Sequence, residues 1–266
     1  MKKFRIDKHQ ELIQKGNKWI LYIDGEESYD VPEFLYKYFP LTKYSLDCLE
    51  KGYFYLANPK DFNDPFDCNY NLITENQRDL KDWEYVPLQN DVINKGITCF
   101  SRDGMNPLMW GHYTNSYTGF VLKIKTKFEP IFSDDVLKAK LLEVVYSDYP
   151  NSISKNAPIA NQYQLMVKLK DWEYEQEWRL IVDKKNFDFF KLFYDTSAIQ
   201  EIALGYKTHS NLNEEHRKLQ KQLDDIIQEK YSNIPLFTVG PDQKEFKLKK
   251  IRLKYGTAED FFHKKT

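Results

Sequence analysis

Glu175, Glu177 and Arg179 follow one another at two-residue steps in the run Trp172-Glu173-Tyr174-Glu175-Gln176-Glu177-Trp178-Arg179-Leu180. If residues 174–182 are extended, these three share one face, and Tyr174, Trp178 and Leu180 share the other. Carboxylates two residues apart on a strand lie roughly 7 Å apart. Partly buried, such a pair resists double ionisation, which raises one pKa toward general acid–base use. The competing reading is structural: Arg179 relieves the repulsion in a carboxylate–guanidinium network that closes a sheet.

Two further clusters carry polar groups between bulky neighbours. In Phe62-Asn63-Asp64-Pro65-Phe66-Asp67, Asn and Asp favour turns and proline fixes one dihedral. Asn63, Asp64 and Asp67 are either ligand-facing groups on a rigid loop or local turn bonds. In Leu108-Met109-Trp110-Gly111-His112-Tyr113, Trp110 and Tyr113 are three apart and share a helix face, while His112 points elsewhere. Core packing accounts best for Met109 and Trp110. A metal-dependent hydrolase reading is also open: Asp64, Asp67, Glu175 and Glu177 would hold Mg²⁺ through hard oxygen ligands, with Lys37 near a phosphate. The sequence has no P-loop, no G-x-G-x-x-G, no G-x-S-x-G, no H-E-x-x-H and no C-x-x-C, so it carries no recognised metal motif.

Whole-chain properties narrow the setting. The 39 basic and 40 acidic residues nearly cancel, so no global attraction to nucleic acid or an anionic membrane exists. Aromatic residues make up 16%, a value that an AT-rich codon bias explains. Cys48, Cys68 and Cys99 are far apart and odd in number, which suits a reducing cytoplasm rather than a disulfide scaffold. The start lacks an apolar signal core, and no window of about 20 apolar residues occurs, so a soluble cytoplasmic protein with no membrane partner is expected.

The positioning elements follow from periodicity and caps. Residues 1–30 read as an N-terminal extension, with a strand at Trp19–Ile23 stopped by Asp24-Gly25, and 31–266 as a single domain. Phe34–Tyr38 reads as a strand. A helix capped by Thr42 and ended by Gly52 follows, then a strand at Phe54–Leu56 broken by Pro59. Further on, a polar helical stretch precedes a strand at Gly96–Ser101, and Pro107–Tyr113 opens a short helix. Strands are predicted at Phe120–Ile124, Leu141–Tyr146, Trp178–Val182 and Ile199–Leu204, with helices over 158–171 and 212–230 and a lysine-rich edge strand over Phe246–Leu253. Strands outnumber long helices without regular alternation. The expected class is α+β, mostly antiparallel sheets with flanking helices.

Taken in order, these motifs resemble a widespread bacterial family catalogued as a domain of unknown function. They run Leu35-Tyr36-Lys37-Tyr38, Leu56-Ala57-Asn58-Pro59 with Phe62 to Asp67, Cys99-Phe100-Ser101, Met109 to Tyr113, Gly119-Phe120, Val144-Val145-Tyr146, Tyr174 to Arg179 and Glu201 to Gly205. The chain is similar over about residues 34–253 to AbiGi-like proteins of abortive phage infection. That resemblance implies a phage-defence or toxin role against a macromolecular target. The L-Y-x-Y strand, the G-Y-F-Y strand and the late E-x-E strand also resemble the skeleton of ADP-ribosyltransferases. This second resemblance implies a split sheet and an NAD site. Glu177, or Glu175, would stabilise the ribosyl oxocarbenium ion. Tyr55 or Tyr53 would stack on nicotinamide, and the Tyr36-Lys37-Tyr38 strand would hold the adenosine ribose or phosphate. Those transferases carry histidine or arginine where this chain has Lys37, a point charge rather than a fork. Ser101, Trp110, His112, Tyr113 and Arg179 complete the expected lining for a nucleotide-like ligand. A non-catalytic binding module remains the third reading, with the acids structural.

Overall fold

The computed structural model describes residues 31–68, 94–126, 140–148, 160–183, 190–210 and 212–253, and the backbone of four strands between residues 3 and 27. Those four, β1 (Lys3–Arg5), β2 (Gln10–Lys15), β3 (Lys18–Ile23) and β4 (Glu26–Glu27), form an antiparallel sheet of their own. Asp24-Gly25 and the polar stretch before Gly96 lie outside the described residues.

The next segment folds as its caps dictate. After β5 (Phe34–Phe39), the Thr42 hydroxyl accepts the Ser45 N–H at 3.2 Å and opens α1 (Lys43–Lys51). Gly52 closes it at φ 68°, a left-handed position that glycine takes without strain. The following strand, β6 (Tyr53–Tyr55), begins one residue earlier than expected and pairs with β13 (Lys191–Phe193), not with β5. Pro59–Asp61 then turn as a 3-10 segment.

The main sheet has eight strands. Its remaining members are β7 (Lys95–Ser101), β8 (Phe120–Lys125), β9 (Lys140–Glu143), β12 (Glu177–Asp183), β14 (Ile199–Gly205), β15 (Leu236–Pro241) and β16 (Leu248–Arg252), in the order β16-β15-β14-β8-β5-β7-β12-β9. All neighbours are antiparallel except β14–β15, so the molecule is α+β with a large, mostly antiparallel sheet. One junction is thin. The β5–β8 ladder pairs Phe34 through Phe39, whereas β5 meets β7 through the single pair Tyr36–Ser101. Side chains bridge the rest: Lys37 Nζ donates to the Cys99 carbonyl at 2.8 Å, and the Tyr38 hydroxyl donates to the Asp103 carbonyl at 2.8 Å.

Period-2 alternation gives the sheet two different faces. One carries Leu35, Phe39, Phe100, Leu122, Trp178, Leu180 and Ile202 against α1 and α4 (Glu214–Lys230), whose Leu46, Leu49, Leu223 and Ile227 are buried there. The opposite face is divided. Tyr38, Val121, Ala203 and Val239 pack on Met109 and Trp110 of α2 (Pro107–Tyr113). Ile97 and Ile181 pack on Cys68 and Leu165.

Two predicted elements are broken. The strand expected over Leu141–Tyr146 is two strands in different sheets, β9 and β10 (Val145–Ser147), interrupted at Val144, whose N–H turns to the Glu177 carbonyl at 2.9 Å. The helix expected over 158–171 is α3 (Ala160–Met166), which stops where Val167–Leu169 becomes β11, a parallel partner of β10. Lys170–Glu175 then coil as a 3-10 segment. Among the described residues no helix is long and apolar enough to cross a membrane.

Candidate functional site

Strand β12 begins at Glu177, not at Tyr174, which corrects the geometry expected for the two glutamates. Glu175 ends the 3-10 segment, and Gln176 between the acids is left-handed at φ 44°. That kink turns both carboxylates toward one point instead of spacing them along a strand. The kink is held from the β7–α2 connection. The Ser101 hydroxyl donates to the Glu175 carbonyl at 2.7 Å, Arg102 N–H donates to the Gln176 carbonyl at 2.9 Å, and Asn106 Nδ2 donates to the Tyr174 carbonyl at 3.1 Å. Asn106 also caps α2 through the N–H groups of Leu108 and Met109, with Pro107 in the first turn, which fixes Tyr113 one helix length away.

Arg179 lies beneath them, fully buried, on the same face of β12 as Glu177. All five of its N–H donors are matched. Nε donates to Glu177 Oε1 at 2.8 Å, and Nη2 to Glu177 Oε2 at 3.0 Å and Asp67 Oδ2 at 2.6 Å. Nη1 donates to Asp67 Oδ1 and to the Leu165 carbonyl, both at 2.8 Å. This is two-sided bidentate recognition, available to arginine and not to lysine. The Phe62 ring lies 5.2 Å from the guanidinium carbon.

Lys168 completes the cluster. Its ammonium, on the short strand β11, lies 2.5 Å from Glu175 Oε2, 3.1 Å from Glu177 Oε2 and 3.8 Å from Asp67 Oδ2. The Tyr113 hydroxyl donates to Glu175 Oε1, and the Glu177 N–H donates to the Tyr146 hydroxyl at 2.8 Å.

Three carboxylates against two cations leave one negative charge in excess, and the two glutamates divide the consequences. Burial works against ionising Glu177, but Arg179 and Lys168 outweigh it and hold its carboxyl well below the usual range. For Glu175 burial prevails: desolvation raises its pKa, opposed by Lys168 and reinforced by the Glu177 charge. Burial alone would lower Lys168, but Glu177, Glu175 and Asp67 raise it, so it stays a cation. Desolvation and Glu175 push the Tyr113 hydroxyl up, which keeps it a donor. Glu177 is therefore a saturated, ionised strut. Glu175 is the carboxyl whose burial favours the protonated form.

Of the expected lining, Glu175, Glu177, Arg179, Asp67 and Tyr113 converge directly, and Ser101 supports the kink. Asp64 follows the turn reading: its Oδ1 accepts the Phe66 N–H at 2.9 Å and its carbonyl accepts the Asp67 N–H at 3.1 Å, so it shapes the turn, shared with Asn63, that delivers Asp67 rather than facing the cluster with its carboxylate. Trp110 is core, its indole N–H on the Gly104 carbonyl. The Lys37 amine is committed to a backbone carbonyl, and burial lowers its pKa, which is not the posture of a phosphate ligand. Tyr36 and Tyr38 line the thin junction. Tyr55 is 54% exposed on the separate β6–β13 sheet, and Tyr53 donates to Asp47 Oδ2 at 2.6 Å, so neither stands beside the acids. His112 is exposed, its ring 6.3 Å from that of Tyr174. Lys168, Tyr146 and Cys68 were missed. Lys168 sits inside an apparent helical period, with no spacing signal linking it to residues 175–177.

The cluster does not suit a cation site. Every carboxylate oxygen of Glu175 and Glu177 already faces Lys168, Arg179 or Tyr113, and among the described residues no group of three His, Cys, Asp or Glu could hold a metal ion.

A family model described as "Protein of unknown function (DUF2971)" matches residues 109–180, a span that holds Tyr113, Lys168, Glu175, Glu177 and Arg179 but not Asp67. No curated protein and no solved structure matches the chain.

Proposed function

We propose that this chain is an enzyme that transfers a glycosyl group from a nucleotide-like substrate, with NAD the first candidate, and that Glu175 is its reactive carboxylate. The observation that carries this reading is the division of labour in the cluster: Arg179 locks Glu177, while Glu175 stands on a turn with a raised pKa, between the fixed cation Lys168 and the donor Tyr113. Bond cleavage at an anomeric carbon develops positive charge, and an ionised carboxylate held in a dry setting opposes it strongly. Lys168 and Tyr113 orient that carboxylate. Glu177 and Arg179 keep the kink rigid, which holds the reacting geometry.

The residues fit part of an NAD-like molecule. A carboxyl with a raised pKa beside aromatic rings suits a ribose and its base. Lys37, expected to meet the phosphate, is engaged elsewhere. The E-x-E resemblance to ADP-ribosyltransferases supports the class of reaction. A defence or toxin role with a macromolecular acceptor rests on the resemblance to AbiGi-like proteins alone. The test is nicotinamide release from NAD by purified protein, alone and with cell extract. Release that disappears in Glu175→Gln supports the reading, and no Glu175-dependent release under either condition overturns it.

A second reading has its own observation. All five Arg179 donors are satisfied internally, as expected of a structural core. In a non-catalytic module, Glu175→Gln would shift only melting temperature and leave every cellular phenotype intact.

A further inference from the structure

Three rings stand around Glu175, an exposed His112 and half-buried Trp172 and Tyr174, and Trp172 carries the Lys168 ammonium over its face. His112 comes from α2, and Trp172 and Tyr174 from the 3-10 segment. Their centroids are 6.3 Å apart for His112–Tyr174 and 6.0 Å for Trp172–Tyr174, at interplanar angles of 37° and 38°. Such a fan is tilted, not stacked, so the rings do not cover one another's faces. Each ring is one step from a group that touches Glu175. The Lys168 ammonium lies 5.0 Å from the Trp172 centroid and 2.5 Å from the Glu175 carboxylate. Tyr174 is the residue before Glu175, and His112 precedes Tyr113, whose hydroxyl donates to Glu175. The fan is also preorganised, since the Ser101 hydroxyl, the Arg102 N–H and the Asn106 side-chain amide donate to backbone carbonyls of the segment that carries two of its rings.

We infer that His112, Trp172 and Tyr174 form the binding subsite for a flat heteroaromatic ring carrying a sugar, a nucleobase or nicotinamide-like group. The ring lies on Trp172 and Tyr174, and its sugar hydroxyls face Glu175 and Tyr113. This deepens the glycosyl-transfer reading and rests on it for the role of Glu175. The chemistry selects a base–sugar unit because the apolar rings abut a carboxylate, an ammonium and a phenol that match hydroxyl groups.

Calorimetry on the intact chain separates the two claims. The probes are adenosine 5′-monophosphate and nicotinamide mononucleotide, with ribose 5-phosphate as the ringless control. At least one ring-bearing probe should bind saturably and more tightly than the control. Trp172→Leu, which keeps bulk and removes the aromatic face, should weaken it at least about five-fold, the lower range for one stacked base. Trp172→Phe should restore most of the affinity. Ribose 5-phosphate binding as well as the ring-bearing probes, a Trp172→Leu affinity equal to wild type, or no saturable binding of either ring-bearing probe at millimolar concentration overturns the inference. Ring-dependent binding that Glu175→Gln preserves, with no nicotinamide release by wild type, fails the reaction but keeps the subsite. Glu175-dependent release without ring dependence does the reverse.

Discussion

Arg179 shows how much one side chain can be asked to hold. Its five donors meet two carboxylates and one carbonyl in a site from which water is excluded. Removing one partner of a buried ion pair leaves the other charge uncompensated, at about 3–5 kcal/mol. Arg179→Lys should approach that loss despite conserving charge, because a point cation cannot serve Asp67 and Glu177 in two forks. Chemical denaturation of the variant checks this. A loss near zero would mean that the cluster tolerates a gap.

The glutamates predict opposite pH behaviour. Glu177 has a depressed pKa, so its contribution is fully present above its unfolded value of 4.5 and is lost as pH falls through its lower folded value. Glu175 has a raised pKa, so ionising it costs stability as pH climbs from 4.5 through its higher folded value. Glu175→Gln should therefore match or exceed wild-type stability at neutral pH, and the difference should shrink toward pH 4. Denaturant midpoints measured across that interval give the sign directly. A variant that is less stable at pH 7 than at pH 4, relative to wild type, would reverse the assignment.

At the scale of the element, the kink at Gln176 is the device that makes the site. A non-glycine residue in the left-handed region costs about 1–2 kcal/mol, and Gln176 is exposed. Gln176→Gly should thus keep or gain up to about 1 kcal/mol, whereas Gln176→Val should lose stability and separate the two carboxylates. Thermal melts of the pair distinguish them. A second left-handed stretch, Asn115 to Tyr117, follows α2, and Gly205 lies so close that an added Cβ would meet the Tyr117 carbonyl oxygen at 2.1 Å, well inside contact. Gly205→Ala should force that turn away from β14, with a loss of soluble, folded protein as the readout.

These kinks mark where the sequence stopped being readable. Capped and periodic elements were legible: Thr42 and Gly52 bound α1, Pro107 opens α2, and the alternation in Phe120–Lys125 and Ile199–Gly205 gives β8 and β14. The breaks at Val144, Val167 and Gln176 were not, because each is imposed by a partner far away in sequence. Val144 leaves its strand to meet Glu177, and Gln176 turns because Arg102 and Ser101 hold its flanks. The same reason explains the site. Glu175, Glu177 and Arg179 announced themselves by spacing, and Lys168, which pairs with both glutamates, did not.

Across the whole molecule, β12 joins two kinds of interior. Trp178, Leu180 and Val182 face the apolar core under α1 and α4, while Glu177 and Arg179 face the charged cluster. Trp178→Ala should cost about 3–5 kcal/mol as a core cavity and loosen the cluster through the shared backbone, so ring binding at Trp172 should weaken with it. The far rim of the sheet has a different consequence. Among the described residues β16 is an edge strand carrying exposed Lys249, Lys250 and Arg252, with Lys250 paired to Glu201 at 2.7 Å. Two copies approaching along this rim would bring like charges together before any new ladder could form. The basic rim should therefore oppose edge-to-edge association, and added salt should weaken that opposition.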